Sequence, residues 1–175
     1  MNRVFCYGSL VNSMSRLKTI GRITTGTYCR LLAGAGYARQ WSIHSTRSSD
    51  GEKLTALALN RADDEWVYAV PVGGIIIEVT DKELGKLDER EKGYVRESVP
   101  ITLFDVWREG EKEGEEGKEG GKGKEGKVFA YVADRIEIAT YEFPIRRSYL
   151  NTCIDGFLEY GNKALEEFMC SIEQV

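Results

Sequence analysis

The sequence predicts an α+β domain: a curled, barrel-like mixed β-sheet with flanking helices. Three observations carry that expectation. Seven or so short β-rich runs follow one another with few helical patterns between them. The C-terminal third changes to apolar residues at helical spacing. The one stretch that fits neither pattern, residues 108–127, is composed only of 7 Gly, 7 Glu, 5 Lys and 1 Arg. Removing that block from the 175 residues leaves 155, with 12 glycines and every apolar residue of the chain. The apolar fraction rises from 42% to about 47%, an ordinary value for a globular domain. The expectation is a single domain over residues 1–175 carrying a low-complexity insert at 108–127 that is solvated and dispensable.

Each element has a local reason. Val4-Phe5-Cys6-Tyr7 is an apolar run stopped by Gly8-Ser9, a buried strand entering a tight turn. Asn12-Ser13-Met14-Ser15 offers N-cap residues for a short helix through Leu17 and Ile20. Thr24–Leu32 and Tyr37–His44 read as strands joined by Ala33-Gly34-Ala35-Gly36, and Leu54–Leu59 follows a polar turn. Val67–Val72 and Ile75–Val79 read as further strands, with Gly73-Gly74 breaking them or making a bulge. Thr80-Asp81-Lys82-Glu83 has the capping-box form, so a helix should run from there to about Lys92 and end at Gly93. Tyr94–Trp107 and Val128–Ala133 are strand-like, which places the charged block in a hairpin between them. Tyr149, Leu150, Cys153, Ile154, Phe157 and Leu158 share helical spacing, as do Leu165, Phe168, Met169 and Ile172.

Composition excludes several classes. No stretch approaches the roughly 20 apolar residues that a spanning helix needs, and Met1–Tyr7 turns polar too soon for a signal peptide. A formal net charge of −4 argues against nucleic acid as a partner. Four cysteines without CxxC spacing and a single histidine give no zinc site of usual spacing. Scattered buried thiols in a reduced, cytoplasmic chain are the expectation.

Few signals carry chemistry. Gly121–Lys127 matches the first part of a phosphate-binding loop, but Val128 stands where Ser or Thr should hold magnesium and a strand follows. In a segment of Gly, Glu and Lys the match is fortuitous. Ser9 sits on a strand-to-turn corner, yet Tyr7-Gly8-Ser9-Leu10-Val11 lacks the second glycine of a nucleophile elbow. Any serine triad would also need His44, which lies in an alternating strand pattern. Glu91 is more informative. Leu84, Leu87 and Glu91 share one face of the helix starting at Asp81, and the leucines mark that face as buried. A carboxylate carried inward is either ion-paired, with Arg90 or Arg96 at hand, or held at the raised pKa a general base needs. Spacing alone leaves both readings open.

Three separated segments together resemble the γ-glutamylcyclotransferase superfamily: Val4-Phe5-Cys6-Tyr7-Gly8-Ser9-Leu10, Leu87-Asp88-Glu89-Arg90-Glu91-Lys92-Gly93-Tyr94-Val95-Arg96, and Ser148-Tyr149-Leu150-Asn151 through Ile154-Asp155-Gly156. They stand in the family's order and bracket residues 4 to about 161. The resemblance implies a small fold around a curled, barrel-like sheet. It also implies release of 5-oxoproline from a small-molecule γ-glutamyl compound without metal or other cofactor. Glu91 would be the catalytic acid and base, and Tyr7, Gly8, Ser9, Leu10 and Tyr149 would bind the substrate. Arg90–Tyr94 and Tyr37–Ser45 are similar to the glutathione-degrading ChaC branch, which has two glycines before the tyrosine and a glycine where Cys6 stands. The γ-glutamylamine branch has a similar size, so the leaving group stays open. A non-catalytic module that binds a γ-glutamyl metabolite or a partner in the same pocket is the alternative.

Overall fold

The computed structural model describes residues 1–47, 50–61, 70–106 and 126–172. β1 (Asn2–Cys6) is the N-terminal apolar run, and Asn12 caps α1 (Ser13–Ile20) by accepting the Ser15 N–H at 2.9 Å. β2 (Gly26–Leu31) and β3 (Tyr37–Thr46) flank a short turn at Ala33–Ala35, and β4 (Lys53–Arg61) pairs back along β3. β5 (Val72–Val79) leads into α2 (Asp81–Arg90), where the capping box is complete in both directions between Thr80 and Glu83. β6 (Val95–Pro100), β7 (Phe104–Val106) and β8 (Lys127–Ala133) finish the sheet, and α3 (Arg147–Leu158) and α4 (Asn162–Ile172) close the chain.

Four local expectations are corrected. β5 runs unbroken through Gly73 and Gly74, which pair with Arg30 and Cys29 of β2. Glycine is required there by crowding, since a Cβ on Gly74 would lie 2.4 Å from the Cys6 carbonyl oxygen. α2 ends at Arg90 rather than Lys92; Glu91 is its C-cap, and the Tyr94 N–H bonds the Glu91 carbonyl at 2.9 Å to turn the chain. The stretch from Tyr94 is two strands, not one, divided by a 3-10 turn at Ile101–Leu103; β6 pairs with β8, and β7 pairs with β2. The charged block is therefore not the turn of a simple hairpin: it lies between the antiparallel partners β6 and β8, but it follows β7, which pairs with β2 instead. Most of that block, with the expected strand residues 67–69 and Trp107, lies outside the described residues, although Lys127 already belongs to β8.

Among the described residues the sheet has eight strands in the order β3-β4-β8-β1-β5-β2-β7, with β6 as a further partner of β8. It is mixed and open, ending at β3 and β7 rather than closing. Most pairs are antiparallel; β8 runs parallel to both β1 and β4. β6 occupies one edge of β8 along residues 127–132. The other edge is therefore shared: Phe129 and Ala130 pair with β1, and Val132 and Ala133 pair with β4. The sheet forks at Tyr131.

Alternation along β1 sends its two faces into separate cores. Val4 and Cys6 join Ile75, Ile77 and Leu87 and the helices, where Phe157 of α3 and Phe168 of α4 stack at 4.4 Å. Phe5 and Tyr7 join Leu31, Leu59, Phe104, Val128 and Val132, which the curl of the sheet brings together. Both faces are apolar, so the sheet has to curl. Burying Phe157 and Phe168 completely contributes about 2–3 kcal/mol each. The expected buried thiols are found at Cys6, Cys29 and Cys153, whereas Cys170 is exposed. No helix among the described residues is long and apolar enough to cross a membrane.

Candidate active site

The fork at Tyr131 opens a narrow cavity lined by Phe5, Cys6, Tyr7, Gly8, Ser9, Leu10, Leu57, Glu91, Tyr94, Tyr131 and Tyr149. Its free space, about 40 Å³, holds about three waters, so it admits the end of a ligand rather than a whole one. β1 delivers Cys6 to its floor. The chain then bends at Tyr7-Gly8 into one 3-10 turn, Ser9–Val11, closed by the Val11 N–H on the Gly8 carbonyl at 2.9 Å. A Cβ on Gly8 would stand 3.1 Å from the Tyr149 hydroxyl, so the residue is glycine where the tyrosine must come close.

All six residues singled out from the sequence meet at this cavity. Tyr149 reaches it from the first turn of α3, its ring edge-on to Trp41, with its hydroxyl brought up against Gly8. Glu91 reaches it from the C-cap of α2, its side chain 16% exposed. It is the one carboxylate among the lining residues. Burial pushes its pKa above the usual carboxylate range, opposed by the charge and hydrogen bond of Arg90. Arg90 Nε donates to Glu91 Oε1 at 3.0 Å, so the ion pair is with Arg90; Arg96 instead pairs with Asp88. The guanidinium of Arg90 also donates to Ser9 Oγ at 3.0 Å, tying the carboxylate to the turn across the cavity. Ser9 and His44 are not partners. His44 stacks on Phe143 and bonds the Ile138 carbonyl through Nε2 at 2.8 Å.

The structure adds residues that sequence reasoning missed. Tyr94 donates to the Leu57 carbonyl at 3.0 Å, and Tyr7 donates to the carbonyl of Tyr131, where β8 changes partner. The Tyr131 hydroxyl leads away from the cavity to Asp88 at 2.7 Å. Burial raises the pKa of Tyr7, Tyr94 and Tyr149, so three neutral hydroxyls surround Glu91. Tyr94 was in plain view three residues after Glu91. Tyr131 had only its place as a polar ring in an apolar strand. Burial also moves the Cys6 thiol up to about 12, which removes it as a nucleophile near neutral pH.

A larger concavity of about 520 Å³ lies at the opposite end of β1, among Arg3, Arg22, Thr25, Thr27 and Glu78. Its arginines are engaged, Arg3 with Glu78 and Arg22 with Glu83. It has no group poised as Glu91 is. Among the described residues no three His, Cys, Asp or Glu side chains gather to hold a metal ion.

No protein-family model and no curated protein matches the sequence. Solved structures do. A γ-glutamyl cyclotransferase superposes with a TM-score of 0.64 at 16% identity, over 97% of this chain and 87% of its own. The chain has the γ-glutamyl cyclotransferase fold. A yeast γ-glutamyl cyclotransferase specific to glutathione aligns over 99% of this chain and 98% of its own, with a TM-score of 0.57 and 12% identity. An uncharacterized human protein aligns over 97% and 87%, with a TM-score of 0.64 and 17% identity. At such identities the γ-glutamyl cyclotransferase likeness is one of architecture, and the chemistry has to be argued from the cavity.

Proposed function

We propose that this chain is a γ-glutamyl cyclotransferase that releases 5-oxoproline from a γ-glutamyl compound, with Glu91 as general acid and base. One observation carries the reading: the single carboxylate lining the cavity is buried at a raised pKa and faces a glycine turn. In a γ-glutamyl substrate the nucleophile and the electrophile belong to one molecule. Glu91 accepts a proton from the α-ammonium. The freed amine attacks the γ-carbonyl carbon, forming the ring C–N bond. As the tetrahedral intermediate collapses, the amide C–N bond breaks; Glu91 returns its proton to the departing nitrogen, and the ring nitrogen gives up its second proton, by way of the same carboxylate, to the freed amine, leaving a neutral lactam and an ammonium. Protons balance within one turnover, and no external nucleophile enters.

Such a reaction asks the protein mainly to fold the substrate into an attacking conformation. The Tyr7–Leu10 turn serves this by presenting backbone N–H groups, and Tyr149 by closing over Gly8. Burial keeps Glu91 basic enough to take an ammonium proton. Arg90 holds its carboxylate toward Ser9. The yeast neighbour's specificity places glutathione first among the compounds to test, with γ-glutamyl amino acids and γ-glutamyl-lysine beside it.

Incubating the protein with each compound and measuring 5-oxoproline is the test. Glu91→Gln should lower turnover by about 10²–10⁴-fold, the usual contribution of a general acid–base group, while ligand affinity stays within about threefold. Absence of 5-oxoproline from every compound, with the protein folded, refutes the reading. Full activity of Glu91→Gln refutes the role given to Glu91.

A further inference from the structure

Two buried arginines grip the Tyr7–Val11 segment from behind, and neither has a carboxylate partner among the described residues. Arg16, 2% exposed, donates through Nη1 to the Leu10 and Val11 carbonyls at 3.0 and 2.5 Å, and through Nε to Thr24 Oγ1 at 3.0 Å. Arg39, 5% exposed, donates through Nη1 to the Tyr7 and Gly73 carbonyls, both at 2.9 Å, and through Nη2 to Ser171 Oγ. Its guanidinium lies 4.8 Å from the Phe168 ring centroid and 5.3 Å from that of Phe157. Its buried Nε has no hydrogen-bond partner.

This arrangement is costly if its purpose is stability alone. A buried charge without an opposite charge loses its hydration, and carbonyls and aromatic faces return only part of it. A neutral donor could satisfy the Tyr7 and Gly73 carbonyls at lower cost. Burial lowers the Arg39 pKa to about 10, which still leaves it cationic at neutral pH. Its charge sits one carbonyl behind the cavity wall, in a medium that screens poorly. Around the cavity Arg16 and Arg39 face the single carboxylate Glu91, which already has Arg90. Two guanidinium charges at this wall, those of Arg16 and Arg39, are therefore left without a carboxylate partner among the described residues.

We propose that Arg39 is a positioning residue whose hydrogen bond fixes the Tyr7-Gly8 corner and whose charge selects a carboxylate-bearing ligand there. Arg16 holds the far end of the same turn. The inference rests on the γ-glutamyl reading, in which the ligand keeps its α-carboxylate through the reaction. It does not require turnover. Arg39 touches no reacting atom; it acts through Tyr7 and through its field.

The probes are 5-oxoproline and its uncharged amide, 5-oxoprolinamide, with dissociation constants measured by calorimetry on the full chain. Wild type should prefer the acid at least tenfold. Arg39→Gln keeps donors for the two carbonyls but removes the charge, so acid binding should weaken about tenfold while amide binding changes less than threefold. Arg39→Lys keeps the charge and should retain most of the preference. Equal weakening of acid and amide in Arg39→Gln would reduce Arg39 to a structural role. Wild type binding both probes equally, or neither, overturns the proposal without any variant, so a failure of Arg39→Gln to fold leaves it decidable. A protein that prefers the acid but makes no 5-oxoproline keeps this inference and loses the enzymatic one.

Discussion

Replacing Gly156 by alanine tests whether the packing of α3 sets the geometry of the cavity. An alanine Cβ at 156 would lie 2.4 Å from the Asn12 nitrogen, 2.8 Å from its Cα and 2.9 Å from the Val11 carbonyl carbon. All three are backbone atoms, in the segment that ends the Ser9–Val11 turn and caps α1, so no side chain can rotate away. Restoring ordinary contact requires α3 to retreat by about 1 Å. Overpacking of this kind costs about 1–3 kcal/mol, which for a chain of this size lowers the melting temperature by roughly 2–12 °C. In a helix interior alanine is intrinsically better than glycine by up to about 1 kcal/mol, so any loss measures the contact. Tyr149 sits two turns earlier on the same helix and would be drawn off Gly8. Turnover should therefore fall even well below the melting temperature. Thermal unfolding and 5-oxoproline release are the two assays. A melting temperature unchanged within about 1 °C, or full activity in a destabilised protein, would refute the coupling between this packing contact and the cavity.

Three further outcomes follow from other parts of the structure. Arg90→Met removes the charge and hydrogen bond that lower the Glu91 pKa, so the acid limb of the kcat/KM profile should move to higher pH; a limb that stays in place or moves down contradicts the pairing. Because the folded-state pKa of Glu91 is raised, ionisation is costlier in the folded protein than in the unfolded one. Its contribution to stability therefore falls as pH rises from the ordinary carboxyl value through the folded one, and Glu91→Gln should flatten that slope in unfolding titrations. Deleting residues 109–125, which spares Gly126 as acceptor for the Ile101 N–H at 2.9 Å, should leave melting temperature and turnover little changed. A large loss of either would assign the block a role in folding or at the cavity.

The local elements were legible because their causes are local. The Asn12 cap, the Thr80–Glu83 capping box and the apolar runs of β1, β4 and β8 all form as their residues suggest. The one-sided leucines of α2 correctly marked a buried face, Leu87 being fully buried. What the sequence hid depends on distant partners. Gly73-Gly74 looked like a break because nothing nearby reveals that Tyr28 presses against Gly73, and Cys6 and Phe5 against Gly74. Neighbouring runs invited pairing of β7 with β8, yet β7 is taken by β2. Arg39 reads as an ordinary strand arginine until α3 and α4 cover it. The meeting of Glu91 with the Tyr7–Leu10 turn was suggested by motif order alone; the fork that brings it about is a tertiary feature with no local signature.

That fork also sets when the cavity can exist. Tyr7 and the Tyr131 carbonyl it bonds are 124 residues apart, so both walls wait for a strand made after three-quarters of the chain. An emerging polypeptide that has completed β1 through β7 has the glycine turn and Glu91, linked through Arg90, but lacks the strand that brings the Tyr131 wall. Closing so long a loop is slow, but lengthening it is nearly free, because the entropic term grows with the logarithm of its length. Twenty residues within 124 add only about 0.2 kcal/mol. A chain whose cavity is closed by a late, parallel strand can thus accept a long polar block just before that strand with almost no loss of stability.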